Sequence, residues 1–289
     1  IRNPISRYYR VMPTPWEINA RSGWFRIPIR ELSLHKDLIF RLVRKDFLAS
    51  YQQTLLGPIW IFLQPLLITL TYIAVFKSML GVSTDSSPST LFYLLGIICW
   101  NYFSDSILNI SFTYTAYASI FNKAYFSRII VPCSYLLVNF LRFAIQFLLF
   151  LLIFSGFLIL GFHVKPNIYL LWFPICLLLL SGFSLGAGLI FASLTAKYRD
   201  IQNLLSFLLR ILMFISPIIY PLSIVPDRFK GLFLINPLTV LIEVTRYGFL
   251  GSGYHSLISL GYCAILMVLI LVMGILLFNW RDGLVMDVI

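Results

Sequence analysis

Tyr51-Gln52-Gln53-Thr54-Leu55-Leu56-Gly57-Pro58-Ile59-Trp60 joins a charged segment to the first long apolar stretch of the chain. Residues before it are polar enough for water, and most of those after it are not. Gly57 admits backbone angles that other residues resist, and Pro58 has no N–H to satisfy, so the pair can end one helix and start another at a corner. Leu63-Gln64-Pro65-Leu66 continues the apolar side of that corner.

Of the 289 residues 60% are apolar and 11% charged, at a mean hydropathy of +0.89, more apolar surface than a water-soluble core can hide. Long apolar runs rather than short alternating ones make the class all-α integral membrane. At about 20 residues per crossing, six transmembrane helices are expected, near Ile59–Met79, Phe92–Tyr114, Pro132–Gly161, Ile168–Leu194, Leu204–Tyr220 and Leu257–Trp280. Between the last two, Leu222 to Gly253 is broken by Pro237 and carries Glu243 and Arg246. It reads as a re-entrant periplasmic helical hairpin, with Pro217, Tyr220, Asn236 and Pro237 as its punctuation.

Upstream of the corner, Ile39, Val43, Phe47 and Tyr51 form an i+4 row with Asp37, Arg41, Arg44 and Lys45 opposite, which predicts an N-terminal interfacial amphipathic helix. Asp46 interrupts the apolar side. The organisation expected is therefore a surface segment over 1–34, the amphipathic helix and turn over 35–57, and a six-span domain over 58–289. Ten of the 22 Lys and Arg residues precede residue 58. With Lys123, Arg128, Lys197, Arg199 and Arg281 they crowd one side, which places both termini in the cytoplasm. Positive charge that borders spans points to orientation and anionic lipid, and nucleic acid is not an expected partner.

No Gly-rich loop ending in Gly-Lys-Ser/Thr is present, so the chain has no means of cradling ATP phosphates. His35, His163 and His255 are scattered, Cys99, Cys133, Cys176 and Cys263 lie far apart in apolar runs, and no metal site or catalytic elbow is expected. Gly182, Gly186 and Gly188 read as a close-packing face.

Ionisable residues inside spans are functional candidates by default. Asp105 falls halfway along the second expected span and Arg142 about 15 Å into the third at 1.5 Å per residue, so a buried mutually neutralising pair is expected. The competing reading is an ion relay centred on Asp105 in a secondary transporter. Trp100, Tyr102, Phe103, Phe112 and Tyr114, with Trp60, supply flat faces suited to a sliding sugar polymer. Belts of rings at the membrane interface are the plainer alternative.

The ordered set Gln53-Thr54-Leu55-Leu56-Gly57-Pro58-Ile59-Trp60, Leu95-Gly96, Trp100-Asn101-Tyr102-Phe103-Ser104, Lys123-Ala124-Tyr125-Phe126-Ser127-Arg128, Tyr198-Arg199-Asp200, Ser216-Pro217-Ile218-Ile219-Tyr220-Pro221 and Asn236-Pro237 resembles the membrane subunit of ABC exporters of lipid-linked polysaccharides and teichoic acids. The resemblance implies a homodimer in the inner membrane with two copies of a separate ATP-binding subunit, which would hold ATP and Mg, while this chain holds no cofactor and is not an enzyme. It implies an undecaprenyl-linked, O-antigen-like substrate, with teichoic acid and capsule as alternatives. It makes Tyr51, Leu56, Gly57 and Pro58 a lateral entrance for the lipid head. It makes Asn122, Lys123, Tyr125, Phe126, Arg128 and Ile129 the ATPase docking loop, with Tyr198, Arg199 and Asp200 as a second cytoplasmic loop. Where that family often has basic residues beside the Tyr of the turn, this chain has Ser50 and Gln52. Arg44 and Lys45 are the nearest cations in the sequence.

Overall fold

The computed structural model describes residues 35–286 apart from Ser86, residues 122–126, His163 and Arg199; the segment 1–34 and most of the expected docking loop lie outside it. All described elements are helical. α1 is Lys36–Ala49, α2 Trp60–Tyr72, α3 Ser89–Ser111, α4 Ile130–Ile159, α5 Phe173–Thr195, α6 Ile201–Ile215, α7 Asp227–Ile235, α8 Pro237–Leu250 and α9 Leu257–Met286. A 3-10 turn, Gly57–Ile59, leads into α2, which continues as a π-helical stretch, Ile73–Met79.

Five helical stretches are long and apolar enough to cross a membrane: Gly57–Met79, Ser89–Ser111, Ile130–Ile159, Ile168–Thr195 and Leu257–Arg281. The expected fifth span is shorter than its sequence suggested. α6 has 15 residues and stops at Ser216, which is extended, because a residue ahead of proline is driven out of the α region by the ring of Pro217. Tyr220 therefore belongs to the bend beyond the helix. The second span likewise ends at Ser111, so Phe112 lies in a turn and Tyr114 in the short helix Thr113–Ala116.

α3 is the axis of the bundle. It packs against α2, α4, α5, α6 and α8, and nearly all of its side chains are buried. α5 and α9 approach most closely through glycine: a Cβ on Gly186 would lie 2.8 Å from the Leu271 backbone, and one on Gly274 would strike the Gly186 carbonyl. Gly182 and Gly188 face Met267 and Ile110 at similarly short range. The small-residue stripe is a helix-packing face.

α7 and α8 meet at a bend of 104° around Asn236, whose Oδ1 caps α8 by accepting from Leu238 N at 3.1 Å. At one end of this pair Ser223 Oγ donates to Asp85 Oδ1 at 2.6 Å, and at the other Ser252 pairs with Ser87. Asp85 and Ser87 sit on one short loop between α2 and α3. The segment 222–253 thus enters and leaves on the same face of the bundle, as a re-entrant hairpin does.

Candidate functional site

Two polar centres lie inside the bundle, one at each end of α3. One gathers around the turn over 51–58. Ser50 closes α1, Gln53 and Gly57 take positive φ of 61° and 53°, and Pro58 opens the 3-10 turn into α2. A Cβ on Gly57 would touch nothing, so the glycine is there for its backbone angle. Leu55 at the tip is fully exposed.

Behind this turn is a polar cavity of about 80 Å³, lined by Tyr51, Trp60, Gln64, Asn101, Tyr102, Asp105, Asn139, Arg142 and Gln146. Arg142 Nη2 donates to Ser50 Oγ at 2.6 Å, its Nη1 donates to Asn139 Oδ1 at 3.4 Å, and its guanidinium lies 5.8 Å from the centre of the Tyr51 ring. Asn109 Nδ2 donates to Asn139 Oδ1 at 3.2 Å, and Gln146 Nε2 donates to the Ile61 carbonyl at 3.2 Å. Two buried donors, Asn139 Nδ2 and Arg142 Nε, have no partner. Burial raises the Tyr51 hydroxyl above its ordinary pKa against the pull of Arg142, so Tyr51 is a neutral donor at physiological pH.

The expected direct ion pair between Asp105 and Arg142 is not formed. Both line the same cavity, but Asp105 is open to it, and Arg142 instead turns to Ser50 and Asn139. The guanidinium reaches a hydroxyl at the end of α1, which leaves the Asp105 carboxylate in the same cavity lining without a direct ion pair. Arg44 and Lys45, the substitutes expected from the sequence, are exposed on α1 and absent from the cavity lining.

The aromatic path divides. Trp60 is 41% exposed, but Trp100, Tyr102, Phe103 and Tyr114 are buried, with Tyr102 Oη paired to Ser181 Oγ at 2.7 Å and Trp100 against Phe103. Trp100 and Phe103 are enclosed by the helices packed around α3 and Tyr114 is packed against Phe278, so these three offer no stacking face here, whereas Tyr102 reaches the lining of the polar cavity. Phe112 is half-buried.

At the other end of α3 the fully buried Arg246 of α8 binds three segments together. Nη1 donates to the carbonyl of Pro217 and to Glu243 Oε1 at 3.1 Å; Nη2 donates to the carbonyls of Ile218 at 2.7 Å and Phe92 at 3.4 Å. The guanidinium lies 3.7 Å over the Phe92 ring. A Cβ at Gly96 would come within 2.5 Å of Arg246 Nη2, so Gly96 makes room for the guanidinium. Glu243 Oε2 accepts from Tyr254 N at 3.2 Å. In the sequence Glu243 and Arg246 read only as obstacles to a crossing; their three-residue spacing on one helix was the available sign of a pair.

Near the expected docking loop, Ile129 is buried against Ile110, Tyr114 and Leu189, and so drops out as a docking anchor. Arg128 lies over the Phe121 ring at 5.5 Å, while Asn122, Lys123, Tyr125 and Phe126 lie outside the described residues. Tyr198 is exposed beneath Lys197, and Asp200 stands at the start of α6. α1 rests on the start of α4, where Tyr117 Oη donates to Asp46 Oδ2 at 2.6 Å. The acid that broke the apolar face of α1 has a partner.

A family model for the ABC-2 type transporter matches residues 37–250, from α1 to the end of the re-entrant hairpin. The chain belongs to the ABC-2 type transporter family. It is a multi-pass membrane protein. This ABC-2 transporter chain is 27% identical over 247 residues to the O-antigen export system permease protein RfbA of Klebsiella pneumoniae, covering 84% of this chain and 91% of that one. It is 28% identical over 216 residues to RfbA of Myxococcus xanthus, 74% and 80% of the two chains, and 26% identical over 265 residues to the polysialic acid transport protein KpsM of Escherichia coli, 91% and 97%. No group of three or more His, Cys, Asp or Glu that could hold a metal ion occurs among the described residues.

Proposed function

We propose that this chain is the membrane subunit of an ATP-driven exporter that moves a lipid-linked, O-antigen-like polysaccharide across the inner membrane, with both termini in the cytoplasm. Capsule and teichoic acid exporters are the neighbouring alternatives. It works as a homodimer with two ATP-binding subunits, which hold ATP and Mg, and its own part is to admit and guide the substrate. The apolar residues Tyr125 and Phe126, within the basic rim of Lys123 and Arg128, dock the ATP-binding subunit.

The observation that carries this reading is the cavity behind the Tyr51 turn. A lipid-linked glycan presents phosphate oxygens next to sugar hydroxyls. The cavity holds donors for the first in Arg142 and Asn139, and acceptors for the second in Asp105 and Asn101. A guanidinium is the side chain best matched to phosphate oxygens. At about 80 Å³ the cavity as it stands holds a few waters, so the turn must swing outward to admit a head group. Gln53 and Gly57, at positive φ on either side of the exposed Leu55, are the hinge positions.

An ion relay on Asp105 finds less support, since Asp105 has no other carboxylate in its cavity. The test is transport. Proteoliposomes holding this chain with its ATP-binding subunit should move a polyprenyl-pyrophosphate-linked polysaccharide when ATP is supplied. Movement driven by a proton gradient without ATP would replace the exporter reading with the relay.

A further inference from the structure

α6 carries a charge in a place that neither the bundle nor lipid accounts for. Arg210 lies nine residues past Ile201, about 14 Å along the helix at 1.5 Å per residue. From the outer side the depth agrees: Gly96, beside Ile218, is seven residues inside the start of α3, and Arg210 is six residues before Ser216, together about 19 Å. Arg210 is exposed, and among the described residues it has no hydrogen-bond, ion-pair or ring partner. At this depth its side chain cannot reach either membrane surface, and hydrocarbon offers a guanidinium no acceptor.

Arg210 is not isolated in the sequence of α6. Gln202, Asn203, Ser206 and Arg210 fall within an arc of about 100° on the helix, while Leu204, Phe207, Leu208, Ile211, Phe214 and Ile215 make up the exposed apolar remainder. Two contacts fix where that polar edge faces. Gln202 Nε2 donates to Thr115 Oγ1 at 3.3 Å, and Met213, on the same edge, meets Tyr72 Oη of α2 at 3.8 Å. The polar edge therefore borders the contacts of α6 with Thr115 and, at mid-depth, with Tyr72 of α2, and Asn203 and Arg210 lie on its open side.

We propose that Arg210 is a substrate-contacting cation in a water-filled path, formed where this exposed polar edge of α6 is closed by a second copy of the chain, and that it takes oxyanion groups of the passing substrate. The oxyanion belongs either to the pyrophosphate of a lipid carrier or to carboxylates of an acidic glycan. This rests on the polysaccharide-export reading above.

The experiment uses inverted membrane vesicles carrying the whole complex. The Ser206→Cys variant, with its substitution one turn before an intact Arg210 on the same polar edge, is treated with an impermeant cationic methanethiosulfonate, the parent serving as blank. A water-filled path predicts modification, and no modification means that this face lies in lipid or protein and overturns the proposal. Inorganic pyrophosphate and glucuronate are then added separately. Protection by pyrophosphate identifies the carrier and protection by glucuronate the glycan. In either case adding Arg210→Gln should remove the protection. Modification that neither probe slows, or protection that survives Arg210→Gln, overturns the anion site. In export, Arg210→Gln should lose roughly tenfold, as for one charge-assisted hydrogen bond, and Arg210→Lys should keep most of the rate; parental export by Arg210→Gln contradicts the proposal. ATP-dependent export by the parent is scored separately, so failure of the exporter reading is distinguishable.

Discussion

The Arg142 guanidinium donates to Ser50 Oγ at 2.6 Å across 92 residues of sequence, and so supplies the cation that the sequence around Tyr51 lacks. The turn and the third span are thereby joined through a side chain that also lines the polar cavity. An outward swing of the turn would break this hydrogen bond and free the guanidinium for another acceptor. A head-group oxygen would stabilise the open turn by the same contact that Ser50 makes in the closed one.

The re-entrant course of residues 222–253 has a direct check. Cysteine pairs replacing Asp85 with Ser223, and Ser87 with Ser252, should both form disulfides under mild oxidation, and single cysteines at 223 and 252 should label from the same side of the membrane. Labelling from opposite sides would make the segment a broken crossing.

Gly96→Ala places a methyl against Arg246 Nη2 and 3.3 Å from the Ile218 carbonyl. Overpacking of this kind costs about 1–3 kcal/mol. The detergent-solubilised protein should unfold at a lower temperature, whereas Gly156→Ala, at a position with open space around it, should not change the midpoint in this way.

Arg246→Met leaves Glu243 buried without its partner, at an expected cost of about 3–5 kcal/mol. The double variant Glu243→Gln with Arg246→Met should recover much of that loss. Thermal unfolding of the four proteins closes the cycle, and strictly additive losses would mean that the pair does not act as a unit.

Tyr117 ties α1 to the rest of the chain through Asp46. Burial first, and then the Asp46 carboxylate, hold the Tyr117 hydroxyl above its ordinary pKa, so it remains a donor throughout the physiological range. A hydrogen bond to a charged group contributes about 1.5–3 kcal/mol. Tyr117→Phe should therefore speed thiol labelling of a Leu42→Cys variant, a site on the buried face of α1, by roughly tenfold or more. An unchanged rate would mean that apolar contacts alone hold the helix.

Much of this architecture was legible because its causes are local. Apolar run length marked five spans, Gly57-Pro58 marked the corner, and Pro237 marked the bend of the hairpin. Misreadings arose where tertiary packing decided the outcome. Trp100 and Phe103 read as a path because nothing in a sequence says that α3 is the helix at the centre of the bundle. Asp105 and Arg142 have matching depths, but depth does not fix azimuth, and Ser50 competes for the guanidinium. Asp46 read as a flaw in an amphipathic face until Tyr117, far along the chain, came to meet it. Arg246 could be counted as a charge, whereas its carbonyl partners at Pro217 and Ile218 belong to backbone that no side-chain pattern reveals.

Charge reversal at Arg142 tests the central claim most directly. In proteoliposomes with the ATP-binding subunit, Arg142→Lys should retain most of the ATP-dependent movement of a polyprenyl-pyrophosphate-linked polysaccharide. Arg142→Glu should abolish it while the subunits still co-purify and hydrolyse ATP. Transport by Arg142→Glu at the parental rate would contradict the account, because the cavity behind the Tyr51 turn would then have no part in admitting the substrate.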